Sequence, residues 1–138
     1  MLSTVERVLF LKSVELFSQI PGEDLAQLAL IATEETRERD EEVVHEGDPG
    51  DALYLVLEGS VRVHRGGRTI AEIHERECFG EMSLLDSEPR SATVTALNDV
   101  SLLKIQRDDF QEMMAEKPEI ASGVIKVLSR RLREANQR

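Results

Sequence analysis

The sequence predicts an α+β fold: an antiparallel β-roll, jelly-roll-like in its barrel, flanked by N-terminal helices and two C-terminal helices. Two observations carry that prediction. From Val43 to Ile105 short apolar stretches of strand character alternate with turn signals every ~8–12 residues. Before and after that stretch, apolar residues recur with the 3.6-residue spacing of amphipathic helices. At 138 residues the chain suits one domain around a single core. The expected division of residues 1–138 is helical over 1–40, β-roll over 41–106 and C-terminal helices over 107–136.

Val5, Val8, Leu9 and Leu11 place a helix over residues 4–13, and Phe17 and Ile20 follow before Pro21-Gly22 breaks the chain. Residues 22–35 read as a second helix, with Glu23 and Asp24 in its first turn and Leu25, Leu28, Ala29 and Ala32 on one face. The charged run from Thr36 to Glu42 reads as an exposed turn or edge. Leu53, Leu55 and Leu57 alternate with Tyr54 and Val56, so that strand is apolar on both faces. Val61 and Val63 alternate with Arg62 and His64, a half-exposed strand, and Gly66-Gly67 turns it into the strand Thr69 to Ile73. Gly47, Gly50 and Gly59 read as turn residues with positive φ. The last strands run from Ser91 to Ala96 and from Val100 to Ile105, joined through Asn98-Asp99. A helix begins at Arg107-Asp108-Asp109, and Pro118 opens a longer one with Ile120, Val124, Val127, Leu128, Leu132 and Ala135 on its apolar stripe.

Composition narrows the function. Apolar content of 41% and charged content of 32% are ordinary for a globular protein, and no apolar run approaches a membrane span of ~18 residues. The start has no signal-peptide shape. A lone Cys78 rules out an internal disulfide, which fits a reducing compartment and a cytoplasmic location. His45, His64 and His74 are scattered without metal-ligand spacing, so no metal is expected. The net charge of −10 argues against nucleic acid as a partner of the bulk surface. It also opposes any anionic ligand, so an anion must be held by a local positive site.

The segment FGEMSLLDSEPRSATV, Phe79 to Val94, supplies such a site. Phe79-Gly80-Glu81 opens a short helical turn, whose first N–H groups have no intrahelical acceptor. Gly80 lets backbone come close to a phosphate. Arg90 brings a permanent charge and a planar donor fork that matches phosphate oxygens. Ser91 and Ala92 are small enough for their backbone N–H groups to approach the same phosphate. Glu81 beside an anion is a cost, unless its carboxylate accepts a hydrogen bond from a neighbouring ribose hydroxyl.

These residues resemble the phosphate-binding cassette of cyclic-nucleotide-binding domains, the family of the catabolite activator protein and of the regulatory subunit of protein kinase A. The family order of Phe-Gly-Glu, apolar, small, Leu, a variable run, then Arg, small, Ala is matched by Phe79, Gly80, Glu81, Met82, Ser83, Leu84, Arg90, Ser91 and Ala92. The stretch from Val43 to Gly59, with Gly47-Asp48 and Gly50, resembles the family's strand-and-turn signature. The chain departs from kinase-type cassettes at Ser87-Glu88, where a Gly is common.

The resemblance implies a regulatory sensor domain that binds a cyclic nucleotide, cAMP ahead of cGMP, and relays binding through its last helix to an effector outside this sequence. The ligand is the nucleotide itself, with no further cofactor. Gly80, Arg90, Ser91 and Ala92 would hold the phosphate and Glu81 the ribose. Val63, Ile70 and Ile73 would line the base slot, and the last helix would bring Ala135 and Asn136 to the base. That helix would also pair with its twin in a homodimer. The alternative is a degenerate family member that serves as an interaction or dimerisation module without binding nucleotide. No nucleophile–base pair points to an enzyme.

Overall fold

The computed structural model describes residues 2–137, which pack as two compact units. One unit is residues 32–108; the other joins the chain up to residue 31 with the chain from residue 109 onward.

Among the described residues, the 32–108 unit holds eight strands: β1 (Thr33–Arg37), β2 (Glu42–Val44), β3 (Ala52–Glu58), β4 (Val61–Arg65), β5 (Arg68–Ile73), β6 (Cys78–Phe79), β7 (Thr93–Ala96) and β8 (Val100–Gln106). They form two antiparallel four-stranded sheets, ordered β1-β8-β3-β6 and β2-β7-β4-β5. Alternation explains the core. Ala52, Tyr54 and Val56 of β3 share a face with Val100 and Leu102 of β8, and they meet Val61, Val94 and Ala96 from the other sheet. The rings of Tyr54 and Phe79 stack at 5.2 Å between centroids, an arrangement worth ~0.5–1.5 kcal/mol beyond the area it buries. Leu53, Leu55, Leu103 and Ile105, on the opposite faces of β3 and β8, are fully buried as well, as the unbroken apolar run of β3 requires.

The helical start of the chain is shorter than the expected 1–40. The second helix ends at Ile31, and residues 33–37 are strand β1, paired along its whole length with β8 from Thr33↔Lys104 to Arg37↔Val100. The reason is positional. β1 is an edge strand, so it carries charge instead of apolar alternation. Glu35 is held there by Arg37 at 3.5 Å and by Lys104 across the ladder at 3.8 Å.

In the other unit, α1 (Thr4–Ser13) starts on a capping box in which Ser3 and Glu6 bond each other's backbone, a device worth ~1 kcal/mol. A 3-10 turn, Glu15–Phe17, leads to α2 (Gly22–Ile31). α3 (Arg107–Glu116), whose first two residues still belong to the 32–108 unit, is followed by α4 (Pro118–Asn136), with Pro118 in the first turn. Phe17 and Phe110 pack at 6.4 Å between centroids. α4 lies hard against the Gln19–Ile20 backbone, because a Cβ on Gly123 would sit 2.7 Å from the Gln19 carbonyl oxygen. Arg131 of α4 donates to Glu15 at 2.9 Å. Ile120, Val124 and Val127 of the stripe are buried, but Leu132 and Ala135 are exposed, so the buried face stops short of the last turns. No helix among the described residues is long and apolar enough to cross a membrane.

Candidate functional site

A cavity of about 380 Å³, within the range of small-ligand sites, opens in the 32–108 unit. Its wall comes from β2, β4 and β7 and from the segment Phe79–Val94. Val44, Val63 and Val94 supply apolar surface; Gly80, Glu81, Ser83, Arg90, Ser91 and Ala92 supply the polar side.

Gly80 caps the short turn Glu81–Leu84 in a left-handed conformation, φ 79°. A β-carbon at this position would lie 2.5 Å from Arg90 Nη1 and 2.9 Å from the Ala52 carbonyl oxygen. Glycine is therefore required here for two reasons, its φ and the close passage of the Arg90 guanidinium. Gly80 also lines the cavity, where the family resemblance implies an approach to phosphate. Gly47 and Gly59 do have positive φ, but Gly50 does not. Gly50 is small because a Cβ would strike Ser83 Oγ at 2.6 Å and the Glu88 carbonyl at 2.7 Å.

Arg90 is 8% exposed. Its Nη1 donates to Ser83 Oγ at 3.0 Å and its Nη2 to the Ala52 carbonyl at 2.9 Å. Its ion pair with Asp51 is long, 3.8 Å, and the Asp51 side chain is 69% exposed. The guanidinium carbon lies 6.0 Å from the Tyr54 ring centroid. Desolvation pushes the Arg90 pKa down, with Tyr54 and Asp51 pulling the other way; the group stays charged. The result is a buried cation whose partners are mostly neutral dipoles, set in the wall of a cavity. Its backbone is pinned from both sides: Arg90 N–H donates to the Asp48 carbonyl at 2.8 Å, and Gly47 N–H donates to the Arg90 carbonyl at 2.9 Å. The Gly47–Asp48 turn and the Arg90 segment, read in the sequence as separate motifs, are thus one piece of structure.

The structure brings Gly80, Glu81, Arg90, Ser91, Ala92 and Val63 together around this cavity. Glu81 is partly buried there. Ile70 and Ile73 lie outside the lining: Ile70 is 46% exposed on β5, and Ile73 packs against the core cluster opposite Val61. Ala135 and Asn136 are exposed on the last turn of α4, in the helical unit. Sequence reasoning missed Val44, Val94 and Asp86 in the wall and the role of Ser83 as acceptor from Arg90. The valines were legible in principle. Val44 pairs with Val94 and Val94 with Val63 across adjacent strands, so the register places the three side by side. Among the described residues no cluster of His, Cys, Asp and Glu could hold a metal.

Residues 34–117 match the family described as cyclic nucleotide-binding domain. The cyclic AMP receptor protein of Thermus thermophilus is 44% identical over 99 residues, 68% of this chain. The chain spans 46% of that relative's length. Among solved structures, the N-terminal domain of a transcriptional regulator from Streptomyces coelicolor superposes with a TM-score of 0.85 at 38% identity, over 93% of each chain. The regulatory domain of Toxoplasma gondii PKA, crystallised with cAMP, superposes with a TM-score of 0.75 at 28% identity, over 80% of this chain and 44% of that one. A family match across most of the chain, covering β1 to α3 and the whole cavity wall, decides the assignment. The chain belongs to the cyclic nucleotide-binding domain family.

Proposed function

We propose that this chain is a regulatory sensor that binds a cyclic nucleotide, cAMP in preference to cGMP, without turning it over, and relays occupancy through α4 to an effector. The observation that carries the reading is Arg90: a buried guanidinium in a cavity wall, with its carboxylate partner 3.8 Å away and largely in solvent. Burying a charge is costly unless it is closely paired. A cyclic phosphate in the cavity would provide that pairing through the planar fork. Ser91 and Ala92, both small, line the same cavity, which suits an approach of their backbone N–H groups to that phosphate. Val44, Val63 and Val94 offer an apolar wall to the faces of a base. The preference for cAMP draws on the relatives, one named as a cyclic AMP receptor protein and one crystallised with cAMP. Ile125 and Leu132, seven residues apart on α4 and 60% and 63% exposed, favour pairing of two copies along that helix.

Glu81 separates a nucleotide from a bare phosphate. It lines the same cavity as Arg90, and an acid beside a bound anion is repulsive unless it accepts a hydrogen bond from a hydroxyl. The reading assigns it the ribose 2′-hydroxyl. In a titration that also checks that the nucleotide is recovered intact, 2′-deoxy-cAMP should bind the parent at least ~10-fold more weakly than cAMP. In Glu81→Ala that penalty should largely vanish. Equal discrimination by parent and variant would show that the hydroxyl is read elsewhere.

A further inference from the structure

Arg107 lies outside the cavity lining, yet its side chain ties together the two segments that hold Arg90. Its Nη1 donates to the Gly50 carbonyl at 3.0 Å and to the Asp86 carbonyl at 3.2 Å. Its backbone N–H donates to the Asp51 carbonyl at 2.8 Å. The side chain is 22% exposed, and its ion pair at 3.7 Å is with Asp108, which is 90% exposed. The two carbonyls that it bridges belong to different pieces of chain. Gly50 and Asp51 lead into Ala52, whose carbonyl accepts from Arg90. Asp86 follows the turn that carries Ser83, the other acceptor from Arg90. Gly50 also packs on Ser83 and on the Glu88 carbonyl so closely that it has no room for a β-carbon. A guanidinium Nη1 with two N–H bonds can bridge two carbonyls at once, which neither an ammonium nor an amide reproduces with the same span.

We propose that Arg107 is a positioning residue for the anion site: it clamps the Gly50–Ala52 segment to the Ser83–Asp86 turn and so fixes the direction of the Arg90 fork. Because Arg107 is also the first residue of α3, the clamp links the geometry of the cassette to the start of that helix. The assignment rests on the proposed nucleotide reading for its ligand, but the clamp exists without ligand and can be tested without one.

The experiment has two arms. In the first, amide hydrogen exchange is followed in ligand-free parent, Arg107→Gln and Arg107→Lys. Both variants should exchange faster over residues 81–92, with β1 and β8 unchanged; unchanged exchange in 81–92 would overturn the clamp. In the second arm, cAMP affinity is measured for Arg107→Gln, Arg90→Lys and the double variant. Arg107→Gln should weaken binding about tenfold alone and less than twofold in the Arg90→Lys background, because it acts through Arg90. Equal losses in both backgrounds would show that Arg107 contributes only general stability. If the parent binds no cyclic nucleotide, the nucleotide reading fails, while the exchange arm still decides on the clamp.

Discussion

Gly80 and Arg90 were legible in the sequence because their spacing is set by a local turn and one strand entry. Their mutual geometry was not. The Gly80 backbone passes so close to the guanidinium that a methyl group cannot fit between them. Gly80→Ala should therefore displace Arg90 as well as strain a positive φ, costing ~1–3 kcal/mol of stability. Its cAMP affinity should fall at least ~10-fold, a larger loss than the stability change alone would explain at a temperature where the variant is folded. Chemical denaturation and titration on one sample check both; unchanged affinity would remove Gly80 from the site. Ser83 and Arg107 were illegible for a general reason. A hydroxyl or a guanidinium bonded to another segment's carbonyl or side chain leaves no periodicity or spacing to read.

At the scale of elements, β3, β4, β7 and β8 followed from short apolar stretches set between turn signals, and α1 from its apolar spacing. β1 did not, because an edge strand held by charged cross-strand pairs looks like the end of a helix or a turn. Within the helical unit, α2 hides one titratable group. Asp24 is 2% exposed, and its Oδ2 has no hydrogen-bond partner among the described residues. Burial raises its pKa most. Glu119 of α4 and Glu23 add repulsion, Lys117 works against them, and a hydrogen bond with Glu119 raises it further. The sign follows from linkage. A carboxyl whose folded pKa lies above its unfolded value stabilises the fold below the ordinary carboxylate range, and that contribution is lost as pH rises through the raised value. Asp24→Asn removes this dependence. Relative to the parent, the variant should gain stability at pH 7 and lose the advantage as the pH is lowered through the carboxylate range. A difference between the two denaturation curves that does not change with pH would contradict the assignment.

At the scale of the whole molecule, a net charge of −10 surrounds a site read as taking an anion. On the proposed reading the overall field repels the ligand, and Arg90, the one buried cation among the described residues, receives it. Salt should therefore speed association, unlike the usual steered encounter. Between ~10 and ~150 mM ionic strength the cAMP association rate constant should rise about two- to threefold, measurable by stopped-flow with a fluorescent analogue. A rate that falls with salt would mean that the field at the cavity mouth is positive. The sign of that field could be anticipated from composition alone; the position of its exception, Arg90, needed the cassette spacing. The most direct test of the account is isothermal titration of this chain with cAMP, parent against Arg90→Ala. The account predicts a saturable single site in the parent and at least ~30-fold weaker binding in the variant, since removing one partner of a buried charge pair costs ~2–5 kcal/mol. A parent that takes up no cAMP, or an Arg90→Ala variant that binds within threefold of it, would contradict the account.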